Sequence, residues 1–375
     1  MQGHLRKRSK DSWTVVVELG RDAVTGKRRQ LWRTVRGTKR DAEALLVQLL
    51  HQRETGVDAP PGRLSVRDYL DQWLAVYVQP NTAPKTFRRY EQLLRVHVVP
   101  VIGSLPLDKV RPLHVQEVYK RVLQEGRSAR TALHCHRVLR QALQQAVRWQ
   151  LAARNPADAV EAPRPDRWEV PAVQPAQIRR LLSEADGTLY GPLVQLAVTT
   201  GLRLGEILGL RWQDVDLDAE VLFVRQTCQW LAGEGFLFRQ PKSHRSARPV
   251  ALPGSAVERL RQHRLLQLEE RLALGADYHD MGLVFASQVG GPIHPSNLRK
   301  AWLGIAERAG LRGLRFHDLR HAHASLLLRQ GAHPKIVSER LGHSTVSVTL
   351  DIYSHVVPNL QADVARSFDE ALANG

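Results

Sequence analysis

The first part of the chain alternates apolar runs with polar turns in a pattern typical of a small sheet followed by a helix. SWTVVVELG and KRRQLWRTVRG are rich in β-branched and aromatic residues, and a short turn-like stretch joins them. The next run has the three-and-four spacing of a helix, and Thr38 with Asp41 fits a capping box at its start. We therefore predict a sheet-plus-helix domain over residues 1–57.

A second pattern, almost entirely helical, extends over residues 64–165. Apolar residues recur three and four positions apart from LSVRDYLDQWLAVYV onward, with arginine and lysine between them. Prolines and a glycine interrupt this pattern in VVPVIGSLPLDKV. Two prolines and a glycine at 58–63, and four prolines at 161–175, are typical of tethers. The pattern predicts a compact domain of four or five helices between two linkers.

The rest of the chain mixes helical and strand patterns. QIRRLLSEA is helical, the region from VLFVRQTCQW to ARPVAL reads as strands and turns, and residues from 296 onward return to helices. We expect residues 171–358 to form a helical body with one small sheet. The predicted fold class is therefore multidomain and mainly α: a small amino-terminal β-sheet plus helix, a helical domain, and a mixed α+β domain.

The end of the chain, residues 359–375, is predicted to be a short helix. Four apolar residues recur along it four positions apart: Leu360, Val364, Phe368 and Leu372. Such a stripe needs another surface to cover it. Folding back on the chain's own core is one way to cover it.

Length and composition exclude several classes of protein. A chain of 375 residues is long enough for two or three domains with a real core. No apolar run approaches the length of a membrane span, and the first residues lack an apolar signal segment. Cys135 and Cys228 form no metal or disulfide pattern, so we expect a reducing cytoplasm.

The net charge of +17, with a pI near 10.5, indicates a polyanionic partner, above all nucleic acid. Residues 1–60 hold 13 Lys/Arg against 7 Asp/Glu, and residues 61–170 hold 18 against 10. Residues 171–375 hold 23 against 20. This distribution favours two DNA-holding modules and a nearly balanced third one. A solvated basic surface without a partner is the alternative.

The candidate DNA-binding side chains lie in the two basic modules. A small sheet that carries cations and is backed by one helix can present them to a DNA groove. An ordinary β-hairpin with exposed charges would give the same pattern. The candidates are Lys27, Arg28, Arg29, Arg33, Lys39 and Arg40 in the first module, and Lys85, Arg88 and Arg89 in the second.

Two stretches of the third domain place charges where chemistry would need them. In TTGLRLGEILGLRW, Arg203 and Glu206 fall three apart in an otherwise apolar helix, so a buried charge must be compensated there. A purely structural pair is the alternative. In RQPKSHRSARPVAL, Lys242 lies at a turn between two β-like runs, at the tip of a hairpin from which it can reach a ligand. An exposed surface lysine is the alternative.

A third stretch, HDLRHAHAS, has three histidines and an arginine within seven positions. On a helix, His317 and His321 lie four apart on one face, a spacing that zinc sites use. Arg320 is on nearly the same side, and its permanent charge would repel a dication. The stretch alone leaves a metal site, a proton relay and an anion site open.

A fourth stretch, LGHSTVSVTLDIYSHV, carries a histidine and a tyrosine. His343 follows a glycine, and Ser344 can cap a helix that begins at the next residue. Tyr353 lies about two turns into that helix. A single tyrosine at helical spacing also fits a core position.

In this order, G-L-R-x-G-E, a hairpin lysine, H-x-x-R, L-G-H and a tyrosine ten residues later form the pattern of the tyrosine recombinases. The chain resembles the phage-type integrases of that family along essentially its whole length. Its first module is similar to their arm-type DNA-binding domain, its helical segment to their core-binding domain, and its last two hundred residues to their catalytic domain. The resemblance implies a site-specific recombinase that integrates and excises a phage or mobile element.

The resemblance also implies a role for each motif residue. Tyr353 would be the nucleophile, His317 the acceptor of its proton, and Lys242 the donor of a proton to the departing 5′ oxygen. Glu206 would orient Arg203. The implied catalytic set is Arg203, Lys242, His317, Arg320, His343 and Tyr353.

No metal or other cofactor is expected. The cationic side chains already supply the positive field that a divalent ion would bring, and Asp318 has no second carboxylate within helical reach. The implied partners are double-stranded DNA carrying attachment sites, a directionality factor and a host DNA-bending protein. The resemblance also implies that the chain forms a tetramer on DNA in the synaptic complex. The terminal helix would dock on a neighbouring protomer, and the setting would be the nucleoid of a bacterial cytoplasm.

Three other functions stay open from the sequence. The first is a DNA-binding protein of this fold without catalysis, although every motif position is filled. The second is a metal-dependent nuclease, which a chelator would inactivate. The third is a topoisomerase-like enzyme that cuts and reseals one strand, and two tethered DNA-holding modules favour recombination over it.

Overall fold

The computed structural model describes residues 3–9, 11–21, 28–43, 45–46, 64–166, 173–240, 247–343, 345–350, 368–369 and 372, with only the backbone at 19–21 and 28–29. The chain divides into two compact units, Met1–Arg167 and Trp168–Gly375. The boundary between the two units lies within the second predicted tether, residues 161–175. The finer division into domains 1–57, 64–165, 171–358 and 359–375 stays a prediction. Among the described residues, no helix has both the length and the apolar content needed to cross a bilayer.

Three antiparallel strands in the order β1-β2-β3 form the amino-terminal sheet. They are β1 (Gly3–Ser9), β2 (Ser12–Arg21) and β3 (Arg28–Arg36). Val15 and Val17 of the central strand pack with Ala42 of helix α1, described at 39–43 and 45–46. The Thr38 backbone N–H donates to Asp41 Oδ2 at 2.8 Å, and the Asp41 N–H donates to Thr38 Oγ1 at 3.4 Å. The predicted capping box is therefore confirmed.

Strand β1 was not predicted from the hydrophobic pattern. It carries Arg6, Lys7 and Arg8 in succession, yet it pairs with β2 from Gly3 to Ser9. An edge strand hydrogen-bonds to one neighbour only and exposes much of its length. Leu5 alone joins the apolar cluster of the sheet from this strand. Periodicity cannot detect a strand with so few apolar side chains.

Four helical rods fill most of the described residues 64–166, in agreement with the predicted four or five helices. The first two each pass through a π-helical turn, at Leu74–Val78 and Leu94–Val98. The elements are α2 (Val66–Trp73) with α3 (Gln79–Asn81), α4 (Pro84–Leu93) with α5 (Val99–Ile102), α6 (Pro112–Gln124) and α7 (Ala129–Arg148). The predicted break follows α5 at Gly103, and apolar side chains from all four rods form one core.

The second unit is a helical body with short strands. Its helices are α8 (Pro175–Ala185), α9 (Gly191–Thr200), α10 (Leu204–Leu208), α11 (Gly254–Leu274), α12 (Pro295–Arg308), α13 (Asp318–Arg329) and α14 (Pro334–Leu341). Its strands are β4 (Val215–Asp216), β5 (Val221–Val224), β6 (Thr227–Leu231), β7 (Gly235–Arg239) and β8 (Arg248–Ala251). Helix α9 is apolar on most of its surface, and Leu193, Val194 and Leu196 lie in the core.

The strands differ from the prediction of one small sheet. Among the described residues they form two sheets, β4-β5-β8 and β6-β7. A tight turn pairs β7 with β6, and β8 takes the free edge of β5 instead. The connection that carries Lys242 therefore joins two sheets and does not close a simple hairpin. Lys242 itself lies outside the described residues.

Candidate active site

Arg203 lies at the amino-terminal cap of α10, and local contacts fix its side chain. Its backbone N–H donates to Glu206 Oε2 at 2.9 Å, and its Nη1 donates to Glu206 Oε1 at 2.8 Å. Its Nη2 donates to the Gly342 carbonyl at 3.0 Å. The side chain remains 38% exposed, so part of the guanidinium faces solvent while the rest is anchored.

Glu206 is the buried counter-charge of this site. Its side chain is 2% exposed, and besides Arg203 it accepts from Arg248, with Nη2 to Oε2 at 3.1 Å and Nη1 to Oε1 at 3.3 Å. Burial alone would raise the pKa of Glu206, but Arg248 and Arg203 outweigh burial and hold the pKa below its ordinary value. The carboxylate is therefore ionised and held between two guanidiniums.

Arg320 lies near the start of α13 and is almost completely buried. Its Nη1 donates to the Gly201 carbonyl at 2.8 Å, and its Nη2 donates to the Leu341 carbonyl at 2.7 Å. Both acceptors are at the carboxyl ends of helices, where the helix dipole favours a cation. Burial and the nearby Arg203 lower the pKa of Arg320 from its ordinary value. A bound anion would offset both effects.

Two glycines turn these carbonyls toward the arginines. Gly201 ends α9 and Gly342 ends α14, with φ of +66° and +65°, the left-handed conformation that glycine adopts without strain. A Cβ on Gly201 would also come within 2.6 Å of Leu341 Cδ2 and 2.8 Å of His323 Cδ2. The glycine of the G-L-R motif is therefore needed for backbone conformation and for close packing.

Three consecutive carbonyls at the end of α14 each accept from a different arginine. Arg248 Nε donates to the carbonyl of residue 340 at 2.6 Å, Arg320 Nη2 to that of residue 341 at 2.7 Å, and Arg203 Nη2 to that of residue 342 at 3.0 Å. We call these the α14 carbonyls. They bring guanidiniums from β8, α13 and α10 to one place.

His343 directly follows the α14 carbonyls and is half-buried. Its Nδ1 lies 2.8 Å from the hydroxyl of the buried Thr349. Burial, followed by the charges of Arg320 and Arg203, lowers the pKa of His343 to about 4. The ring is therefore neutral near pH 7. If the Thr349 hydroxyl donates to Nδ1, the ring hydrogen is on Nε2 and can be donated to a ligand.

His317 lies at the start of α13, and its ring meets that of His321 edge-on with centroids 5.3 Å apart. Burial, His321 and Arg320 lower the pKa of His317. Asp318 is not available to a metal ion, because Arg315 already occupies both of its oxygens. Arg315 Nη2 donates to Oδ1 at 2.6 Å, and the Arg315 backbone N–H donates to Oδ2. In the described part of the chain, no three His, Cys, Asp or Glu residues cluster as metal ligands would.

His323 has a structural environment. Its Nδ1 lies 2.9 Å from the Val198 carbonyl, and Arg340 Nε lies 3.1 Å from its Nε2. Burial and the Arg340 charge lower its pKa to about 4, so the ring is neutral. It connects α9, α13 and α14, a local bridging role that fits its place beside the site.

Tyr353, like Lys242, lies outside the described residues. The structure thus brings together Arg203, Glu206, Arg320 and His343, with His317 at the start of α13. Sequence reasoning missed Arg248, Thr349 and the main-chain carbonyls that hold the arginines. The glycines at two helix ends were an available signal for the carbonyls.

Arg33 is the one predicted DNA-binding residue of the sheet whose side chain the structure describes. Arg33 is exposed, but it lies on the same face of β3 as Leu31 and Val35, whose side chains pack on the core. The opposite face carries Trp32, 51% exposed, with the Arg6 guanidinium 5.5 Å from its ring centroid. The predicted Lys39 and Arg40 are exposed on α1, Arg28 and Arg29 begin β3, and Lys27 lies outside the described residues.

The helical part of the first unit carries a second cationic surface. The predicted Lys85, Arg88 and Arg89 are exposed and lie on one side of α4. Burial and the charges of Arg89, Arg137 and Arg130 lower the pKa of His134 on α7, so the cations of α7 lie close to those of α4. Arg130 and Arg137 were missed because the contact joins separate helices.

Comparison with known proteins is consistent with this geometry. Residues 172–359 match the model of the phage integrase family, and residues 65–123 match that of the phage integrase N-terminal SAM-like domain. The chain therefore belongs to the phage integrase family and is a tyrosine-type site-specific recombinase. The family, the fold class and the recombinase function predicted from the sequence are confirmed.

Individual relatives match over nearly the whole chain. A tyrosine recombinase XerC-like protein of Caldanaerobacter subterraneus is 29% identical over 97% of both chains. An integrase of Streptomyces ambofaciens is 30% identical over 91% of this chain and 88% of its own.

Two solved structures have a similar fold. A Tn1549 transposon integrase in complex with a circular intermediate DNA covers 82% of this chain and 99% of its own at a TM-score of 0.69 and 21% identity. A lambda integrase tetramer bound to a Holliday junction covers 93% of this chain and 94% of its own at a TM-score of 0.58 and 18% identity.

Proposed function

We propose that Tyr353 cuts one DNA strand by attacking the scissile phosphorus while Arg203, Arg320 and His343 bind the non-bridging oxygens. The tyrosine oxygen forms a bond to phosphorus, the bond to the 5′ oxygen breaks, and a 3′-phosphotyrosyl linkage and a free 5′-hydroxyl result. The linkage retains the energy of the phosphodiester. A 5′-hydroxyl of a partner strand can therefore reverse the step without ATP, which exchanges strands between two sites.

The anchoring of both guanidiniums carries this proposal. Arg320 bridges the carbonyls of Gly201 and Leu341, and Arg203 bridges Glu206 and the carbonyl of Gly342. Anchored cations need no reorganisation when negative charge develops on the phosphate. Each guanidinium offers paired N–H donors to adjacent oxygens. An arginine placed this way can increase the rate of phosphoryl transfer by about a thousandfold or more.

Proton transfer completes the proposed step. A free phenol has a pKa of about 10, so Tyr353 needs a base to remove its proton. The lowered pKa of His317 keeps the ring neutral near pH 7 and supports its role as that base. Lys242 donates a proton to the leaving 5′ oxygen. Lys242 and Tyr353 enter the proposal through the family motif, and the described residues supply the anion site.

We propose that the reaction needs no divalent metal. Arg203 and Arg320 supply the positive charge that metal ions supply in other phosphoryl-transfer sites. Asp318 is engaged by Arg315 and is therefore unsuited to bind a cation. Strand cleavage should accordingly be unchanged by a chelator such as EDTA.

The first unit is proposed to hold DNA with its two cationic surfaces. The sheet face that carries Trp32 also carries Arg6 and the exposed Arg36, and it fits an arm-type site. The exposed cations of α4 and α7 fit the core site. Four copies would assemble on two DNA sites, as the lambda integrase tetramer does on a Holliday junction. A directionality factor and a host DNA-bending protein would act with it on the bacterial nucleoid, in the cytoplasm.

The decisive experiment is Tyr353→Phe on a nicked suicide substrate, from which the cleaved strand cannot be rejoined. The variant should bind the site as the unchanged protein does and form no covalent protein–DNA adduct. Tyr278→Phe removes a tyrosine hydroxyl of the same unit and serves as the matched control, which should form the adduct normally. An adduct with Tyr353→Phe would overturn the proposal, and no adduct with the unchanged protein would leave a DNA-binding protein without catalysis.

A further inference from the structure

We propose that Arg248 is a positioning residue for strand cleavage, which sets Arg203 through Glu206 and fixes the strand that follows the Lys242 connection. This inference rests on the proposed function and assigns a role to a side chain outside the motif set. Arg248 is the first residue of β8, and its side chain is 6% exposed. A cation this deeply buried must have strong partners to be tolerated.

The contacts of Arg248 reach two parts of the site at once. Its Nη1 and Nη2 donate to the two oxygens of Glu206, and its Nε donates to the carbonyl of Arg340. Glu206 in turn holds both the backbone and the side chain of Arg203. One guanidinium therefore connects β8, α10 and the end of α14.

The geometry requires a guanidinium in particular. Two parallel N–H donors meet the carboxylate while a third points to a carbonyl, a fork that a single ammonium cannot reproduce. Arg248 is also the third arginine on the α14 carbonyls, beside Arg203 and Arg320. Loss of its contact at residue 340 would disturb the two neighbouring acceptors and His343, which follows them directly.

A buried pair with only a structural role would make many of the same contacts, so the proposal needs a distinguishing measurement. Within the described part of the chain, the charged groups that face Glu206 are Arg203 on α10, Arg248 on β8 and Arg320 on α13. Burial raises the pKa of Glu206, and Arg248 lowers it. Without Arg248, the pKa of Glu206 must therefore rise. Glu206 would then take up a proton at a pH where it is normally ionised, and its hold on Arg203 would weaken.

The sign of the expected pH effect follows from this shift. In the unchanged protein the pKa of Glu206 lies below its ordinary value, so the carboxylate stays ionised through the neutral range. In Arg248→Met, cleavage should fall as the pH decreases, starting at a higher pH than in the unchanged protein. A structural role alone would lower the rate by the same factor at every pH.

The experiment measures single-turnover cleavage of the suicide substrate from pH 5.5 to 8.5 by the full-length chain. The proteins compared are the unchanged one, Arg248→Met, Arg248→Lys, Glu206→Gln and the double variant Glu206→Gln with Arg248→Met. Arg248→Met should be slower by about 100-fold at the acid end, a loss typical of a misplaced catalytic group, with DNA binding unchanged. The two losses should be less than additive in the double variant, which should also lack the added loss at low pH, because a glutamine does not titrate.

Arg248→Lys separates charge from geometry. It keeps a cation beside Glu206, so its pH profile should match that of the unchanged protein, but it loses the fork and should be slower by about tenfold at every pH. If Arg248→Met does not fold, Arg248→Lys combined with Glu206→Gln gives the same test of additivity. Additive losses in either pair, or a loss of equal size at every pH for Arg248→Met, would overturn the positioning role. Failure of the proposed function would instead be seen as an adduct with Tyr353→Phe.

Discussion

Replacement of Arg320 by lysine tests whether the site anchors its cations through the main chain. Arg320 is 4% exposed and donates at 2.8 Å and 2.7 Å to the carbonyls of Gly201 and Leu341. A lysine keeps the charge but cannot span both carbonyls from one ammonium. At least one buried acceptor then loses a charge-assisted hydrogen bond, which is worth about 1.5–3 kcal/mol.

The expected loss of stability for Arg320→Lys is therefore about 3 kcal/mol in the free energy of unfolding. For a unit of this size, each 1 kcal/mol lowers Tm by about 2–4 °C, so the shift should be roughly 6–12 °C. Cleavage should also fall by about a thousandfold, because one guanidinium no longer meets the phosphate. Thermal unfolding of the full chain and single-turnover cleavage measure the two effects.

Arg203→Lys is the matched control for this prediction. Arg203 is more exposed, and Glu206 keeps Arg248 as a partner when Arg203 is shortened. We expect a comparable loss of cleavage, but a smaller loss of stability of about 1 kcal/mol. Equal unfolding temperatures for the two variants would refute the anchoring argument, since the buried bridge at Arg320 would then add nothing.

Three further predictions concern proton transfer and assembly. Lys242→Ala should cleave slowly and recover when the bridging 5′ oxygen is replaced by sulfur, a better leaving group; no recovery would contradict the proton-donor role. Because His317 must be neutral to accept a proton and its pKa is lowered, cleavage should persist as the pH falls through about 6.5 and decline only below it, unlike a base with an ordinary pKa. Removal of residues 359–375 should leave binding to a single site intact but weaken synapsis, and unchanged recombination would count against docking on a neighbouring protomer.

Local features of this site were predictable from the sequence. Arg203 with Glu206, and Thr38 with Asp41, are three residues apart, and a helical turn brings such pairs together without help from the rest of the fold. The same holds for His317 and His321, whose rings meet as their spacing predicts.

Contacts between distant segments were not predictable. Arg248 and Glu206 are 42 residues apart, and nothing in either stretch indicates the other. Contacts with main-chain carbonyls leave even less signal, because every residue has a carbonyl and no side-chain type marks the acceptor. The separate sheets of β7 and β8 were missed because alternation predicts strands but not their partners.

The α14 carbonyls also determine which changes this region can tolerate. A substitution at position 340 leaves its carbonyl in place, so the arginine contact does not depend on that side chain. Adding or removing one residue within α14 would instead rotate the carbonyls about the helix axis by about 100°. All three arginines would then lose their acceptors in one event, so related chains should tolerate changes at position 340 but keep the same number of residues in α14.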